Sequence, residues 1–283
     1  MSIIQVGLVD KTKKIDPELL RAAAAALTIQ VTRDLPQFWT VQATVLTVPN
    51  PAKIPSGVWP VFLVAELPPG EGGFHLDKHN QPYAEVIASP TSEEWTIDAS
   101  HEIIEMLVDP YGNRMQQSAS IEIAGNDVID GTSQFGYLVE ACDPCEADQY
   151  AYPIQGIAVS DFITPHFYDP ITTPGTRYSF TGKIERPRQI LPGGYISFIN
   201  NEADEWQQIL WVDPSSAPTL KNLGPAQGTS LRAWIDGEMR GKANKGTFRP
   251  YVRELNATLM EGCATKREAL DRIATVRGKR YSR

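Results

Sequence analysis

The chain has 283 residues, of which 42% are hydrophobic and 21% are charged. These are ordinary proportions for a globular protein that can bury a sizeable core. No run of about eighteen apolar residues occurs, so we expect no membrane-spanning helix. Charges follow directly after a short apolar stretch at the start of the chain. This start does not resemble a secretory signal peptide, and the cytoplasm is the default compartment.

The net charge of −8 is distributed unevenly along the chain. The segment from Leu231 to Arg283 holds 13 Lys and Arg residues against 6 Asp and Glu residues, so it is basic while the remainder is strongly acidic. A solvated helical face is the simple explanation of this segment, and docking to an acidic partner is the alternative. Nucleic acid is not expected as a partner, because no regular pattern of aromatic residues accompanies the basic ones.

The first elements alternate between strand and helix. Ile3–Val9 predicts a strand, and Asp16 followed by Pro17 predicts the N-cap and first position of a helix that continues through an alanine-rich run. Phe38–Val48 alternates in polarity and is rich in β-branched residues, which predicts a second strand. Trp59–Glu66 is mostly apolar and predicts a third, central strand.

A loop, a strand and a long helix follow. Residues 68–83 are rich in glycine and proline and predict a loop. Tyr83–Ala88 predicts a short strand. A helix is then expected to begin near Ser92 or Asp98, and to end at or before Asp109 because the next residue is proline.

The rest of the chain predicts shorter elements. Short strands and turns are expected as far as Phe162, and residues 178–184 and 194–200 alternate like the two strands of a hairpin. A last helix is predicted from about Arg249 to Val276, with a break near Gly262.

The order of these elements predicts an α+β fold. The proline-bounded stretch Pro170–Pro174 predicts a domain boundary. Residues 1–175 would then form a domain with a mixed sheet and the long helix. Residues 176–283 would form a smaller extension with a β-hairpin, a helical segment and the basic tail.

The chemistry of the sequence is concentrated in His101-Glu102-Ile103-Ile104-Glu105 on the predicted helix. Residues four apart share one face of a helix, so His101 and Glu105 could bind one metal ion together. Glu102 is displaced by about a quarter turn and could take a proton from a water molecule on that ion. The spacing matches the His-Glu-x-x-His motif of zinc hydrolases, except that a glutamate replaces the second histidine.

A glycine-containing loop, a short strand and a His-Glu helix are the layout of zincin metallopeptidases. The chain resembles, in particular, a group of bacterial and phage zincin-like proteins with the pattern Ser-His-Glu-x-x-Glu, Asp-Pro and Glu-x-x-Asp-x-Cys. Here Ser100–Glu105, Asp109–Pro110 and Glu140–Cys145 match it. Gly156–Pro165 is also similar, so the resemblance covers roughly residues 74–169. In zincins the strand before the helix borders the cleft and pairs with extended substrate.

The resemblance implies a third metal ligand between residues 140 and 146. Glu140 is the first candidate and Asp143 the second, and the one that does not bind the ion could hold His101 in its tautomer. Asp109 is a further candidate for that supporting role, beside its plain role in ending the helix. Three histidines outside the helix are alternative ligands, although a lone histidine is more often solvated or hydrogen-bonded: His75, His79 and His166.

The resemblance favours zinc, whereas the ligand chemistry leaves the ion open. Carboxylates in place of imidazoles bring negative charge to the ion, so its bound water should be less acidic than with three imidazoles. An oxygen-rich ligand set also weakens the preference for zinc over manganese or calcium.

Three hypotheses of function follow. The first is a zinc metallopeptidase that cleaves peptide or protein substrates, with Glu102 as the general base. The second is a catalytically inactive zincin-like binding or structural module that docks through the basic segment. The third and weakest is a thiol-redox protein that uses Cys142 and Cys145. This pair is a lone Cys-x-x-Cys without the strand and helix start that lower a thiol pKa.

Overall fold

The computed structural model describes residues 3–68, 72–90, 92–212, 214–228, 230–242 and 262–269. These residues form a mixed α+β fold with two five-stranded sheets and one two-stranded sheet, which confirms the predicted fold class. Within the described ranges, no helix is both long and apolar enough to cross a membrane.

The first sheet is almost entirely parallel. It contains β1 (Ile4–Asp10), β2 (Ala43–Thr47), β3 (Val58–Val64), β4 (Gly73–Lys78) and β5 (Gln81–Ile87). The strands lie in the order β2-β1-β3-β5-β4, and β4 alone runs antiparallel to its neighbour, at the edge of the sheet. The predicted central position of the third strand is therefore confirmed.

Two helices pack on this sheet. Helix α1 (Pro17–Ile29) begins as predicted, because the Asp16 side chain accepts a hydrogen bond from the Glu18 N–H at 2.8 Å. Helix α2 (Trp95–Val108) packs against β4 and β5. It begins between the two predicted starts and ends before Asp109, as predicted. Apolar side chains from both helices and from the parallel strands belong to the larger core, together with side chains from later in the chain.

The second sheet is antiparallel and lies later in the chain. It contains β6 (Met115–Ala124), β7 (Asp127–Leu138), β10 (Tyr195–Asn200), β11 (Glu205–Leu210) and β12 (Thr219–Gly224), in the order β12-β11-β10-β7-β6. The small sheet pairs β8 (Tyr152–Ile154) with β9 (Ile157–Val159). Helix α3 (Leu231–Lys242), which the sequence did not predict, and a helical turn at residues 262–269 complete the described chain.

The predicted domain boundary lies between strands that share a sheet. Pro170–Pro174 is irregular, as predicted, but β10 pairs with β7, and Phe198 is aligned with Tyr137. Both aromatic side chains belong to the larger core. The division into residues 1–175 and 176–283 stays a prediction.

Around the first sheet, the start of one predicted strand is wrong, and one predicted loop contains a strand. The strand predicted at Phe38–Val48 begins only at Ala43. The backbone before it continues α1 as helical turns, and the Trp39 indole N–H donates a hydrogen bond to the Ile163 carbonyl at 2.8 Å. The loop predicted at residues 68–83 contains β4. It joins β5 through a two-residue turn in which His79 and Asn80 both have positive φ.

Two further predictions concern the C-terminal part. Residues 178–184 do not form a hairpin strand. They make only one isolated bridge, between Ser179 and Ile163, before Gly182 turns the chain with a φ of +76°. Their expected partner, β10, pairs with β7 and β11 instead. Of the helix predicted at Arg249–Val276, residues 262–269 are helical and the remainder lies outside the described residues.

Candidate metal centre

The His-Glu motif lies on the buried face of α2, where three other parts of the chain converge. Glu105 is fully buried, and Glu102 and His101 are nearly so. Strand β4 and the start of α3 each place a polar side chain beside Glu105, and the turn that follows β7 places a backbone N–H there. The fold therefore gathers charged groups around one helix turn.

The helix spacing brings His101 and Glu105 together, and the turn after β7 adds Asp143. His101 Nε2 lies 3.3 Å from Glu105 Oε1 and 3.2 Å from Asp143 Oδ1. One ligand atom from each of the three residues lies within 4.8 Å of the others, a separation that a single metal ion can span. Asp143, the second candidate from the sequence, occupies the position expected of a third ligand.

Glu140, the first candidate, faces a different neighbour. Its buried carboxylate forms an ion pair with the Arg232 guanidinium at the start of α3. In the described part of the chain, Glu140 belongs to neither of the two groups that could hold an ion. The structure therefore places Glu140 as a counter-charge to Arg232, whereas Asp143 faces His101.

One of the three alternative histidines lies in the centre. His75 on β4 is fully buried, and its Nδ1 lies 3.4 Å from Glu102 Oε2 and 3.6 Å from Glu105 Oε2. These three residues form a second group that could hold an ion. His79 is exposed at the turn after β4, and His166 is exposed and pairs with Asp169 at 2.8 Å.

Asp109 supports His75, not His101. The Asp109 carbonyl lies 3.2 Å from His75 Nε2, and its carboxylate accepts a hydrogen bond from the Arg114 backbone N–H at 2.7 Å. The α2 backbone also ends there, with the Asp109 N–H bonded to the Glu105 carbonyl at 2.7 Å. Asp109 thus fixes the end of the helix and the ring of a neighbouring histidine.

Arg232 is the part of the centre that sequence reasoning missed. Its Nη1 lies 3.4 Å from Glu105 Oε2 in addition to its contact with Glu140. Helix α3 can approach this closely because Gly112 has no side chain: a Cβ there would lie 2.5 Å from the Arg232 Cβ. Arg232 follows Glu105 by 127 residues in the chain, so no local sequence pattern connects them.

The turn that contains Cys142 and Cys145 contacts the centre through its backbone. The Cys142 backbone N–H donates to Glu105 Oε1 at 3.0 Å, which fixes that oxygen opposite His101. Cys142 and Cys145 are both free and buried, and burial raises the pKa of each thiol well above its ordinary value. A raised pKa disfavours the thiolate that redox exchange needs, so this environment does not favour the thiol-redox hypothesis.

The pKa values in the centre indicate that its acidic groups outnumber its positively charged groups. Burial alone would lower the pKa of His101, but Glu105 and Asp143 outweigh it and hold that pKa well above its ordinary value. Burial and the neighbouring Glu105 raise the pKa of Asp143 to about 7. Burial also raises the pKa of Glu140 well above its usual range, although Arg232 opposes the shift. Without a metal ion, protons must supply the missing positive charge.

The donor atoms fit a divalent cation. His75 Nδ1 and Glu102 Oε2 are buried without a hydrogen-bond partner, which is costly for polar atoms inside a protein. Imidazole nitrogens and carboxylate oxygens together suit several divalent ions, zinc and manganese among them. The buried histidine, glutamate and aspartate side chains could therefore hold a metal ion.

We expect metal binding to release protons near neutral pH. His101 and Asp143 have raised pKa values, and both must be deprotonated to bind an ion, so affinity should increase as the pH rises through about 7. Calorimetric titration with zinc in buffers of different ionisation enthalpy should show release of about one proton or more per ion. A binding heat that does not depend on the buffer would contradict this expectation.

Arg232→Ala should strongly destabilise the metal-free protein. The change leaves buried Glu105 and Glu140 without their guanidinium, which typically costs about 3–5 kcal/mol in the free energy of unfolding. Adding Glu140→Gln should recover part of that loss, because one of the unpaired charges is then removed. Denaturant unfolding measures both effects. Arg186→Ala breaks the partly exposed pair with Asp127 and should cost less than about 1 kcal/mol.

Comparison of the chain with protein-family models, with curated proteins and with solved structures finds no match. The function therefore has to be argued from the chemistry and geometry of the centre.

Proposed function

We propose that the protein is a zinc-dependent, zincin-like hydrolase that cleaves peptide bonds. The observation that carries the proposal is the convergence of His101, Glu105 and Asp143 beside the buried carboxylate of Glu102. Two of these residues share a helix face and the third comes from a separate turn. A solvated helix face would not bury such a group.

His101 Nε2, Glu105 Oε1 and Asp143 Oδ1 would hold the ion, since these are the atoms that face one another at 3.2–3.3 Å. A bound zinc ion would lower the pKa of a coordinated water molecule and polarise the carbonyl of a substrate. The Cys142 N–H keeps Glu105 Oε1 directed at His101, so the ligands are oriented before an ion arrives. The donor set also accommodates manganese, and zinc is proposed because of the resemblance to zincins.

Glu102 would act as the general base. Its side chain lies on α2 one residue after His101 and is directed into the centre, where Oε2 has no hydrogen-bond partner and lies 3.4 Å from His75 Nδ1. In this role it accepts the proton of the attacking water and returns it to the nitrogen of the leaving amine. Burial keeps bulk water away from this proton transfer.

The edge of the first sheet supports a peptide as the substrate. Strand β4 pairs only with β5 among the described residues, so its outer edge can accept an extended chain. The resemblance placed this edge at Tyr83–Ala88, but that segment, β5, is an inner strand. His75 and Gly73 lie on β4 next to Glu102. A peptide added to β4 would therefore pass beside the centre.

Glu102→Gln should abolish hydrolysis and leave the ion on the His101 group. Glutamine has the same shape but cannot take a proton, so turnover of a fluorogenic peptide mixture should fall by about 10²–10⁴-fold. Metal content should be measured on the same samples, with exposed Glu122→Gln as the matched control. His101→Ala should lose the ion on the His101 group as well as the activity. Normal turnover in the Glu102→Gln protein would refute the assignment of the base.

Gly73→Ala should displace the Glu102 carboxylate through steric contact. A Cβ at Gly73 would lie 2.9 Å from both Cγ and Oε1 of Glu102, so that side chain must move, and 3.2 Å from the Glu85 carbonyl oxygen. Hydrolysis should decrease without loss of the ion on the His101 group. Gly262→Ala, which meets open space, is the control. An equal decrease in the Gly262→Ala protein, or unchanged hydrolysis in the Gly73→Ala protein, would contradict this explanation.

A further inference from the structure

We propose that the centre binds two divalent cations, with the second held by His75, Glu102 and Glu105. The proposal shares Glu102 and Glu105 with the proposed function, but it rests on its own observation. That observation is a buried histidine nitrogen directed at two carboxylates without a hydrogen-bond partner.

The orientation of His75 exposes a lone pair to the carboxylates. A carbonyl oxygen can only accept, so His75 Nε2, 3.2 Å from the Asp109 carbonyl, carries the proton. In the neutral ring Nδ1 is then an acceptor, and it is fully buried. Metal-binding histidines commonly have this arrangement, in which one nitrogen donates to the backbone and the other faces the ion.

Of the other two ligand atoms, Glu102 Oε2 has no hydrogen-bond partner, whereas Glu105 Oε2 has Arg232 Nη1 at 3.4 Å. Glu102 Oε2 is 3.4 Å from His75 Nδ1 and has no hydrogen bond, and Glu105 Oε2 is 3.6 Å from the same nitrogen. Three buried acceptors that face one another are unfavourable without positive charge among them, and Arg232 contacts Glu105 alone of these three residues. A divalent ion would satisfy all three atoms at once.

Glu105 is placed to serve both ions. Its Oε1 faces His101 at 3.3 Å, while its Oε2 faces His75 at 3.6 Å, so each oxygen belongs to a different group. A carboxylate that bridges in this way is suited to two ions about 3.5–4 Å apart, the separation in two-metal hydrolases. The two groups therefore form one dinuclear centre.

The charges of the centre also call for a second ion. The carboxyl groups buried around α2 include those of Glu102, Glu105, Glu140 and Asp143. Among the described residues, the only lysine or arginine paired with these four is Arg232. One divalent ion leaves the fully ionised centre with net negative charge, and a second removes the deficit. Glu102 would bind through Oε2, which leaves Oε1 on the side of Gly73 to accept a proton.

Metal counting on the full chain tests the proposal. Purified protein would be dialysed against zinc or manganese and analysed by mass spectrometry, beside His75→Ala and His101→Ala. We expect about two ions per chain, about one in each variant, and about two in the controls His79→Ala and His166→Ala, whose histidines are exposed. The ion that His75→Ala retains should be lost on adding His101→Ala.

The outcomes separate the two-ion centre from the proposed hydrolase. One ion per chain, lost in His101→Ala and kept in His75→Ala, would overturn the second site and leave the proposed function intact. One ion lost only in His75→Ala would overturn the two-ion centre and the assignment of the His101 group. If His75→Ala does not fold, electron paramagnetic resonance of the manganese-loaded natural chain decides. An exchange-coupled pair supports the proposal, and isolated ions alone overturn it.

Discussion

The complete burial of the Glu105 carboxylate is the constraint on which the rest of the centre depends. An ionised carboxylate inside a protein is costly unless charges and hydrogen bonds compensate it. His101 and Arg232 outweigh the effect of burial and hold the pKa of Glu105 well below its ordinary value. Its partners come from α2, β4, the turn after β7 and α3. Four parts of the chain therefore meet at the Glu105 carboxylate.

Because positive charge must compensate these buried carboxylates, ligand binding also affects the stability of the folded chain. Glu140 and Asp143 have raised pKa values because burial and neighbouring carboxylates disfavour their charged forms. Protons or metal ions can supply the missing positive charge, and an ion that binds only the folded chain also stabilises it. The features that suit the centre to metal binding are thus unfavourable for the metal-free protein. Such conflicts between local stability and charge burial are common at functional sites.

Short-range features of the centre were predictable, and long-range ones were not. The helix period placed His101 and Glu105 on one face from the sequence alone, and Pro110 located the end of α2. Spacing could not decide between Glu140 and Asp143, because the turn after β7 directs them to different neighbours. Strand β4 was missed since glycines and prolines precede it and two adjacent charged residues, Asp77 and Lys78, end it. No local pattern connects Arg232 to α2.

The basic C-terminal segment is, in part, a counter-charge for its own chain. Arg232 pairs with Glu105 and Glu140, and Arg267 pairs with Glu93. Part of its positive charge is therefore engaged within the molecule, which weakens the argument that the segment is basic in order to dock an acidic partner. Removal of everything after Leu231 would delete Arg232 and leave two buried carboxylates without their guanidinium. A truncation that probes docking must therefore begin beyond residue 242, so that loss of a partner is distinguishable from disruption of the centre.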